Sequence, residues 1–209
     1  SANLLQLHRD LIEIPSLSHE EAEIADFVQA WLENTGANVI RLGDNVIASG
    51  SNQPKILFNS HLDTVPPTEA WTRDPFTLIE EGGYFYARGA SDDKAQSAIW
   101  TDTLIRFRQE GFKPKRTIKL ALTCGEETTT AFNGAGWLAK NRRELIDAEY
   151  ALNEGGGGLV GPDGTRSVLS MQVGEKTVAN FRLETTNPGG HSSMPRPDNA
   201  IYSLATALN

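Results

Sequence analysis

The sequence predicts an α/β fold in which helices flank a mostly parallel central sheet, followed by the start of a smaller α+β domain. Short apolar runs of strand type alternate along the chain with segments whose apolar residues recur at helical spacing. Glycine and proline residues separate these segments, and 209 residues are enough for one sizeable core. Strands that alternate with helices are typical of domains built around a largely parallel sheet.

The first segments are predicted to be two helices. Residues 3–14 carry apolar side chains at helical spacing, and Pro15 ends this pattern. Ser18 and Glu21 match the capping-box pattern at the start of the next helix, which Gly36 ends. Strands are then expected at residues 38–42, 45–48 and 56–58 and in the stretch "GGYFYARG".

The later segments continue the alternation and then change in style. We predict a helix from Lys94 to Gln109, a strand at "TIKLALT", a helix over 134–140 and a strand at "AEYALNE". Beyond Gly174, "KTVANFRLETT" alternates polar and apolar residues as a half-solvated strand does, and a helix follows from about Asp198. We therefore expect one domain over residues 1–174 and the beginning of a second, apparently truncated domain over residues 175–209.

Composition narrows the range of partners. The formal net charge is −8 and no cluster of Lys and Arg is present, which argues against a nucleic-acid partner. No stretch approaches the roughly 20 apolar residues that a membrane span needs. The single cysteine, Cys124, excludes a disulfide within the chain and is compatible with a reducing compartment, so we expect a cytoplasmic location.

Residues of metal-ligand type follow four of the predicted strands, each directly after an apolar run. They are His61, Asp92 with Asp93, Glu126 with Glu127, and Glu154. Ligands of open α/β sheets bind beyond the carboxyl ends of the strands, so these side chains are expected to lie close together.

This set of residues suits a divalent cation such as zinc, which takes imidazole nitrogen and carboxylate oxygen. Two such ions, about 3.5–4 Å apart, can share a carboxylate and lower the pKa of a water to about 7. The adjacent Glu126 and Glu127 suit a division in which one binds metal and the other is a general base. Asp63 is placed to hold the far nitrogen of His61.

Each residue also has an ordinary structural interpretation. His61 could be a hydrogen-bonded histidine at a strand end, and one of Asp92 and Asp93 could cap the following helix while the other binds metal. Glu126 and Glu127 could lie in a solvated loop, and Glu154 could begin a mobile glycine loop. The occurrence of all four strand endings in one chain favours the metal site.

Five motifs together resemble a known family. They are "SHLDTVP", "RGASDDKA", "CGEETT", "LNEGG" and "NPGGHSSMP". In this order and spacing they resemble the dinuclear-zinc family of acetylornithine deacetylase, succinyl-diaminopimelate desuccinylase, aminoacylase and glutamate-type carboxypeptidases. The resemblance covers essentially the whole chain. It implies a catalytic metal-binding α/β domain with an inserted lid domain that often dimerises.

The resemblance also implies a role for each matching residue. The metal ligands it implies are His61, Asp92 as the bridging carboxylate, Glu127 and Glu154. Glu126 would be the general base, and His191 on the lid would stabilise the oxyanion, usually from the partner subunit. The family further implies a cis peptide bond between Asp92 and Asp93.

The activity implied is zinc-dependent hydrolysis of the amide or peptide bond of N-acyl amino acids or short peptides, with Co²⁺ or Mn²⁺ as possible substitutes. A homodimer formed through the lid domain is also implied. The family's second metal needs another histidine, which we expect beyond Asn209. An alternative is therefore an incomplete or non-catalytic fragment that binds a small ligand or dimerises.

Overall fold

The computed structural model describes residues 2–49, 54–128, 132–194 and 196–209. Two motif ends used above, Thr129 and Pro195, lie outside the described residues. The chain divides into two compact units, Ser1–Gly155 and Gly156–Asn209. The boundary predicted at residue 174 lies within the second unit, and that domain division stays a prediction.

The first unit contains five helices and seven strands among its described residues. In chain order they are α1 (Ala2–Glu13), α2 (Ala22–Glu33), β1 (Val39–Leu42), β2 (Asn45–Ser49), β3 (Pro54–His61), β4 (Ile79–Glu81), β5 (Tyr84–Tyr86), α3 (Lys94–Gln109), β6 (Thr117–Thr123), α4 (Gly134–Asn141), α5 (Arg143–Ile146) and β7 (Tyr150–Leu152).

A five-stranded sheet with the order β1-β2-β6-β3-β7 forms the centre of this unit. Strand β3 is parallel to both β6 and β7, while β2 is antiparallel to β1 and β6. Four strands therefore run in one direction and only β2 opposes them. This arrangement confirms the predicted mostly parallel sheet, and it brings the carboxyl ends of β3, β6 and β7 to one edge.

Apolar clusters pack against both faces of the sheet, although the side chains of β7 are exposed. On one face, Val46 and Leu120 pack with apolar residues of α1, α2 and α3. On the other, Ile47 and Ala121 pack with Leu138 of α4 and partly buried residues of α5. Successive strand residues point to opposite faces, which is why Val46 and Ile47 enter different clusters. Helices thus cover the sheet on both sides.

Two local predictions in this unit are wrong. Ser18 and Glu21 form no capping box, since α2 has no side-chain cap; both side chains instead bond to residues far along the chain. The strand predicted in "GGYFYARG" is present as β5, but the expectation that it belongs to the central sheet is wrong, since among the described residues it pairs with β4 in a separate two-stranded sheet. Asp92 and Asp93 therefore precede helix α3 and do not follow a strand of the central sheet.

The second unit contains a hairpin and a helix among its described residues. They are β8 (Gly156–Val160), β9 (Arg166–Met171) and α6 (Ala200–Ala207). The strand predicted at 176–186 is absent, because none of the described strands pairs with this segment and a strand needs a hydrogen-bonded neighbour. None of the described helices combines the length and apolar character needed to cross a membrane.

Candidate metal centre

The site is built at the carboxyl edge of the central sheet. His61 is the last residue of β3 and lies opposite Thr123, the last residue of β6. Phe58 of β3 lies opposite Leu152, the last residue of β7. The loops after β6 and β7 therefore start beside His61, and they carry the predicted carboxylates.

The imidazole of His61 is buried, and carboxylates surround its outer nitrogen. Nε2 lies 3.1 Å from Oδ1 of Asp92, 3.4 Å from Oε2 of Glu154 and 3.9 Å from Oε2 of Glu126. The other nitrogen, Nδ1, donates to the carbonyl oxygen of Asp63 at 2.9 Å, and the Asp63 carboxylate lies at 3.4 Å. This contact leaves Nε2 free to bind a cation.

Two groups of possible ligands share His61. One consists of His61, Asp93 and Glu154, and the other of His61, Asp92 and Glu127; within each group the ligand atoms lie within 4.8 Å of one another. The structure thus brings together all four ligands that the sequence predicted, and it adds Asp93. The peptide bond between Asp92 and Asp93 is cis, which confirms that expectation.

Asp93 does not cap helix α3, although it occupies the N-cap position. Its Oδ2 accepts a hydrogen bond from the hydroxyl of Ser60 at 2.6 Å, and Ser60 in turn lies 2.6 Å from the hydroxyl of Ser97. The Ser97 hydroxyl also donates to the carbonyl oxygen of His61. Sequence reasoning missed this buried network; its signal is Ser60, a small polar residue beside His61 that follows the apolar run 56–58.

The electrostatics of the site favour a bound cation. Burial lowers the pKa of His61, but the Asp63 carboxylate and the negative charge of Glu154 outweigh burial and raise it to about 10. Burial raises the pKa of Glu154 to about 7, with nearby carboxylates adding to the effect, and raises that of Asp93 to about 6. Carboxylates crowded in this way favour either protonation or a cation. Their oxygens and one imidazole nitrogen fit a divalent metal such as zinc.

Asp63 connects the strand end to the loop that carries the two adjacent glutamates. Its fully buried carboxylate accepts hydrogen bonds from the backbone N–H groups of Glu126 and Glu127, both at 3.0 Å, and from the hydroxyl of Ser18 at 2.7 Å. Burial alone raises the pKa of Asp63, yet the contacts with His61, Ser18 and these amides lower it to about 2. Asp63 is therefore a buried anion that fixes two loops.

Lys94 anchors the start of helix α3 behind the site. Its side chain is fully buried, its Nζ donates to the carbonyl oxygen of Ile14 at 2.8 Å, and its stem lies against Gly89. Burial lowers the pKa of Lys94 to about 7. Its bond to Ile14 holds the ammonium group beside the end of α1, and none of the ion pairs among the described residues joins it to a carboxylate of the site, so it does not supply the cation that the site favours.

His191 lies in the second unit, on an exposed segment. Its Nδ1 accepts a hydrogen bond from the backbone N–H of Ser193 at 3.2 Å and lies 2.8 Å from the Ser193 hydroxyl. A neutral histidine whose Nδ1 accepts carries its proton on Nε2.

Comparison with known proteins identifies relatives across the chain. The sequence profile described as peptidase family M20/M25/M40 matches residues 57–208. The chain is 33% identical over 224 residues to the succinyl-diaminopimelate desuccinylase of Rhodospirillum centenum, covering 98% of this chain and 55% of that protein. It is 34% identical over 162 residues to the probable carboxypeptidase S-like 2 of Dictyostelium discoideum, covering 74% of this chain and 31% of that protein.

A solved structure shows the same architecture. The metallo-carboxypeptidase of the M20 family from Sulfolobus solfataricus matches with a TM-score of 0.62 and 26% identity, over 77% of this chain and 38% of that chain. The chain thus spans about half of the desuccinylase and about a third of the carboxypeptidase-like protein.

Proposed function

The chain belongs to peptidase family M20/M25/M40, and from this membership we propose that it forms part of a zinc-dependent hydrolase. The proposed reaction is cleavage of the amide or peptide bond of N-acyl amino acids or short peptides. The observation that carries the proposal is the convergence of two ligand groups on His61, at the edge where β3, β6 and β7 end.

Two zinc ions are the proposed cofactors, with Co²⁺ or Mn²⁺ as substitutes. The residues that would hold them are His61, Asp92, Glu127 and Glu154, and Asp93 offers a further oxygen. Bound zinc would lower the pKa of water and polarise the substrate carbonyl.

Glu126 is the proposed general base. Its carboxylate is 44% exposed and open to solvent, and its Oε2 lies 3.9 Å from Nε2 of His61, beside the proposed metal site. Glu126 would take a proton from the attacking water and deliver it to the nitrogen of the leaving amine. The hydrogen bond from its backbone N–H to Asp63 holds the residue in place for both steps.

His191 is the proposed oxyanion donor, and a homodimer formed through the lid domain predicted over residues 175–209 is the proposed assembly. Support comes from the tautomer: because Ser193 N–H donates to Nδ1 of His191, the proton on Nε2 is available for an oxyanion. The cytoplasmic location remains a prediction from the lone cysteine.

A non-catalytic binding or dimerisation module is not favoured. The two relatives described above are named as a probable carboxypeptidase and a desuccinylase, and their matches cover 74% and 98% of this chain. All carboxylates predicted for this part of the site are present and gathered around His61.

The proposal is tested with Glu126→Gln and Glu127→Gln as a matched pair. We expect Glu126→Gln to lower kcat by about 10²–10⁴-fold with its zinc content retained, because it removes only the base. Glu127→Gln should lower zinc affinity, because it removes a ligand. Hydrolysis is measured on N-succinyl and N-acetyl amino acids and dipeptides, and zinc by metal analysis. Hydrolysis is tested in the full-length protein that contains this chain, and unchanged turnover in its Glu126→Gln variant, or no turnover by its zinc-loaded wild type, contradicts the proposal.

A further inference from the structure

Two buried carboxylates hold three consecutive backbone amides in the loop after β6. The N–H of Gly125 donates to Oε1 of Glu21 at 2.8 Å. The next two amides, of Glu126 and Glu127, donate to the two oxygens of Asp63 at 3.0 Å each. Each of these three amides is therefore held by its own hydrogen bond, in the loop that carries the proposed base Glu126 and the proposed ligand Glu127.

Glu21 reaches this loop because the segment before α2 lies against the segment after β3. The Ser16 hydroxyl donates to the carbonyl oxygen of Leu62, and the N–H of Thr64 donates to the carbonyl oxygen of Ser16. These contacts hold the segment between α1 and α2 beside Asp63, to which the Ser18 hydroxyl donates. Glu21 lies three residues after Ser18 in the same segment.

The environment of Glu21 is unusual for a glutamate. The residue is 1% exposed, and none of the ion pairs among the described residues includes it. A buried carboxyl without a cation is costly unless hydrogen bonds satisfy it. The Glu21 side chain does not cap α2, and instead it accepts the hydrogen bond from Gly125 N–H, which connects it to the loop of the proposed site.

We propose that Glu21 is a positioning residue for the reaction: by holding Gly125 N–H, it fixes the loop from which Glu126 and Glu127 reach the metal site. The inference rests on the proposed roles of those two glutamates. Adjacent Cα atoms are about 3.8 Å apart, so a shift at Gly125 passes directly to Glu126 and through it to Glu127. A displacement of about 1 Å at reacting groups is enough to impair catalysis strongly.

The test compares Glu21→Leu, Glu21→Gln and a control, Asp102→Leu. Asp102 is also a buried carboxyl, but it lies in α3 and pairs with Arg106. Amide hydrogen exchange at residues 125–127 is measured by NMR in the metal-free protein. Co²⁺ affinity and the visible spectrum of bound Co²⁺ are measured as readouts that a general loss of stability does not move.

We expect Glu21→Leu to speed amide hydrogen exchange at Glu126 and Glu127 by about tenfold or more. The substitution leaves the buried N–H of Gly125 without its acceptor, and this loosens the loop that carries the next two amides. Co²⁺ affinity should fall by about 10–100-fold, as for groups that orient metal ligands, and the Co²⁺ spectrum should change. Glu21→Gln should resemble the wild type in both measurements, because its amide oxygen can accept the same N–H. Asp102→Leu should leave both unchanged.

The inference is overturned if Glu21→Leu leaves exchange at these two amides unchanged. It is also overturned if exchange accelerates while Co²⁺ affinity and spectrum match those of Asp102→Leu, because Glu21 would then be structural only. Absence of Co²⁺ binding by the wild type would count against the proposed function instead, and hydrogen exchange would still decide whether Glu21 holds the loop.

Discussion

The buried carboxylate of Asp63 joins the strand end that carries His61 to the loop that carries Glu126 and Glu127. Asp63→Asn perturbs this junction without changing the size of the side chain. The amide has one acceptor oxygen in place of two, so only one of the two backbone N–H groups can keep its partner. The other N–H then faces the NH₂ group of the new side chain.

Two routes give the size of the effect. A hydrogen bond to a charged acceptor contributes about 1.5–3 kcal/mol, and the substitution removes one such bond and the charge behind the other. Independently, the lowering of the pKa of Asp63 from 3.8 to about 2 corresponds to about 2 kcal/mol in favour of the ionised form. We therefore expect Asp63→Asn to lower the free energy of unfolding by about 2–3 kcal/mol at pH 7.

Urea unfolding of the metal-free protein, followed by tryptophan fluorescence, measures this change. All four tryptophans, Trp31, Trp71, Trp100 and Trp137, lie in the first unit, so the signal reports that unit. Asp74→Asn is a matched control, because Asp74 likewise accepts from a backbone N–H and a hydroxyl but is exposed. Its effect should be much smaller than that of Asp63→Asn.

The pH dependence supplies a second check. Because folding lowers the pKa of Asp63, its ionised form stabilises the protein above about pH 4, and this stabilisation is lost as the pH falls through about 2. The difference between wild type and Asp63→Asn should therefore shrink below pH 4. A difference that is constant with pH, or no larger than that of Asp74→Asn, would refute this reasoning.

Three further predictions concern protons, a thiol and a glycine. Metal binding at pH 7 should release at least one proton, because the raised pKa of His61 keeps its ring protonated without metal and Glu154, with a pKa of about 7, is partly protonated. Calorimetry in buffers of different ionisation enthalpy measures this release, and buffer-independent heats would contradict it. Cys124, whose pKa burial raises to about 12, should react with iodoacetamide at pH 8 only after unfolding, as mass spectrometry would show; rapid labelling of the folded protein would disprove this. Gly125→Ala should lower the free energy of unfolding in urea by about 2 kcal/mol or more, because φ is +68° and the new Cβ would overlap the carbonyl oxygen of Phe132. Gly43→Ala, where φ is +57° and the space around the new Cβ is open, should lower it by only about 1 kcal/mol. Equal losses in the two variants would refute the role of the overlap.

The central sheet is predictable because strands buried on both faces appear in the sequence as short apolar runs between turn residues. Strand β6 matches the stretch "TIKLALT" residue for residue. The β8–β9 hairpin gives no such signal, since three of the five residues of β8 are glycines without side chains to show alternation. The alternation of polar and apolar residues at 176–186 indicates an extended segment with two different faces. It does not indicate a neighbouring strand, and a segment becomes a strand only by hydrogen bonding to one.

The convergence of the proposed ligands is also predictable, because His61 ends β3, while Glu127 and Glu154 follow strands that end at the same edge of the sheet. The contributions of Asp93 and Glu21 are not. Asp93 precedes a helix, where a cap is the ordinary expectation, and only the fold directs it to Ser60 and the site. Glu21 matches a local capping pattern with Ser18, yet its partner Gly125 is 104 positions away.

The carboxylates of Asp63, Asp92 and Glu126 lie at this edge of the sheet, and their exposure distinguishes two different roles. Asp63 is fully buried and binds backbone amides, so it fixes the loop and has little freedom to meet a substrate. Asp92 and Glu126, with side chains 66% and 44% exposed, face Nε2 of His61 and solvent, where a cation and a water can reach them. An anion satisfied by amides stays charged at neutral pH without a metal, whereas anions crowded around an imidazole gain from one. Removing the buried carboxylate of Asp63 should therefore lower the free energy of unfolding and displace the loop. Removing the exposed carboxylate of Asp92 or Glu126 should reduce metal binding or proton transfer while the fold stays intact.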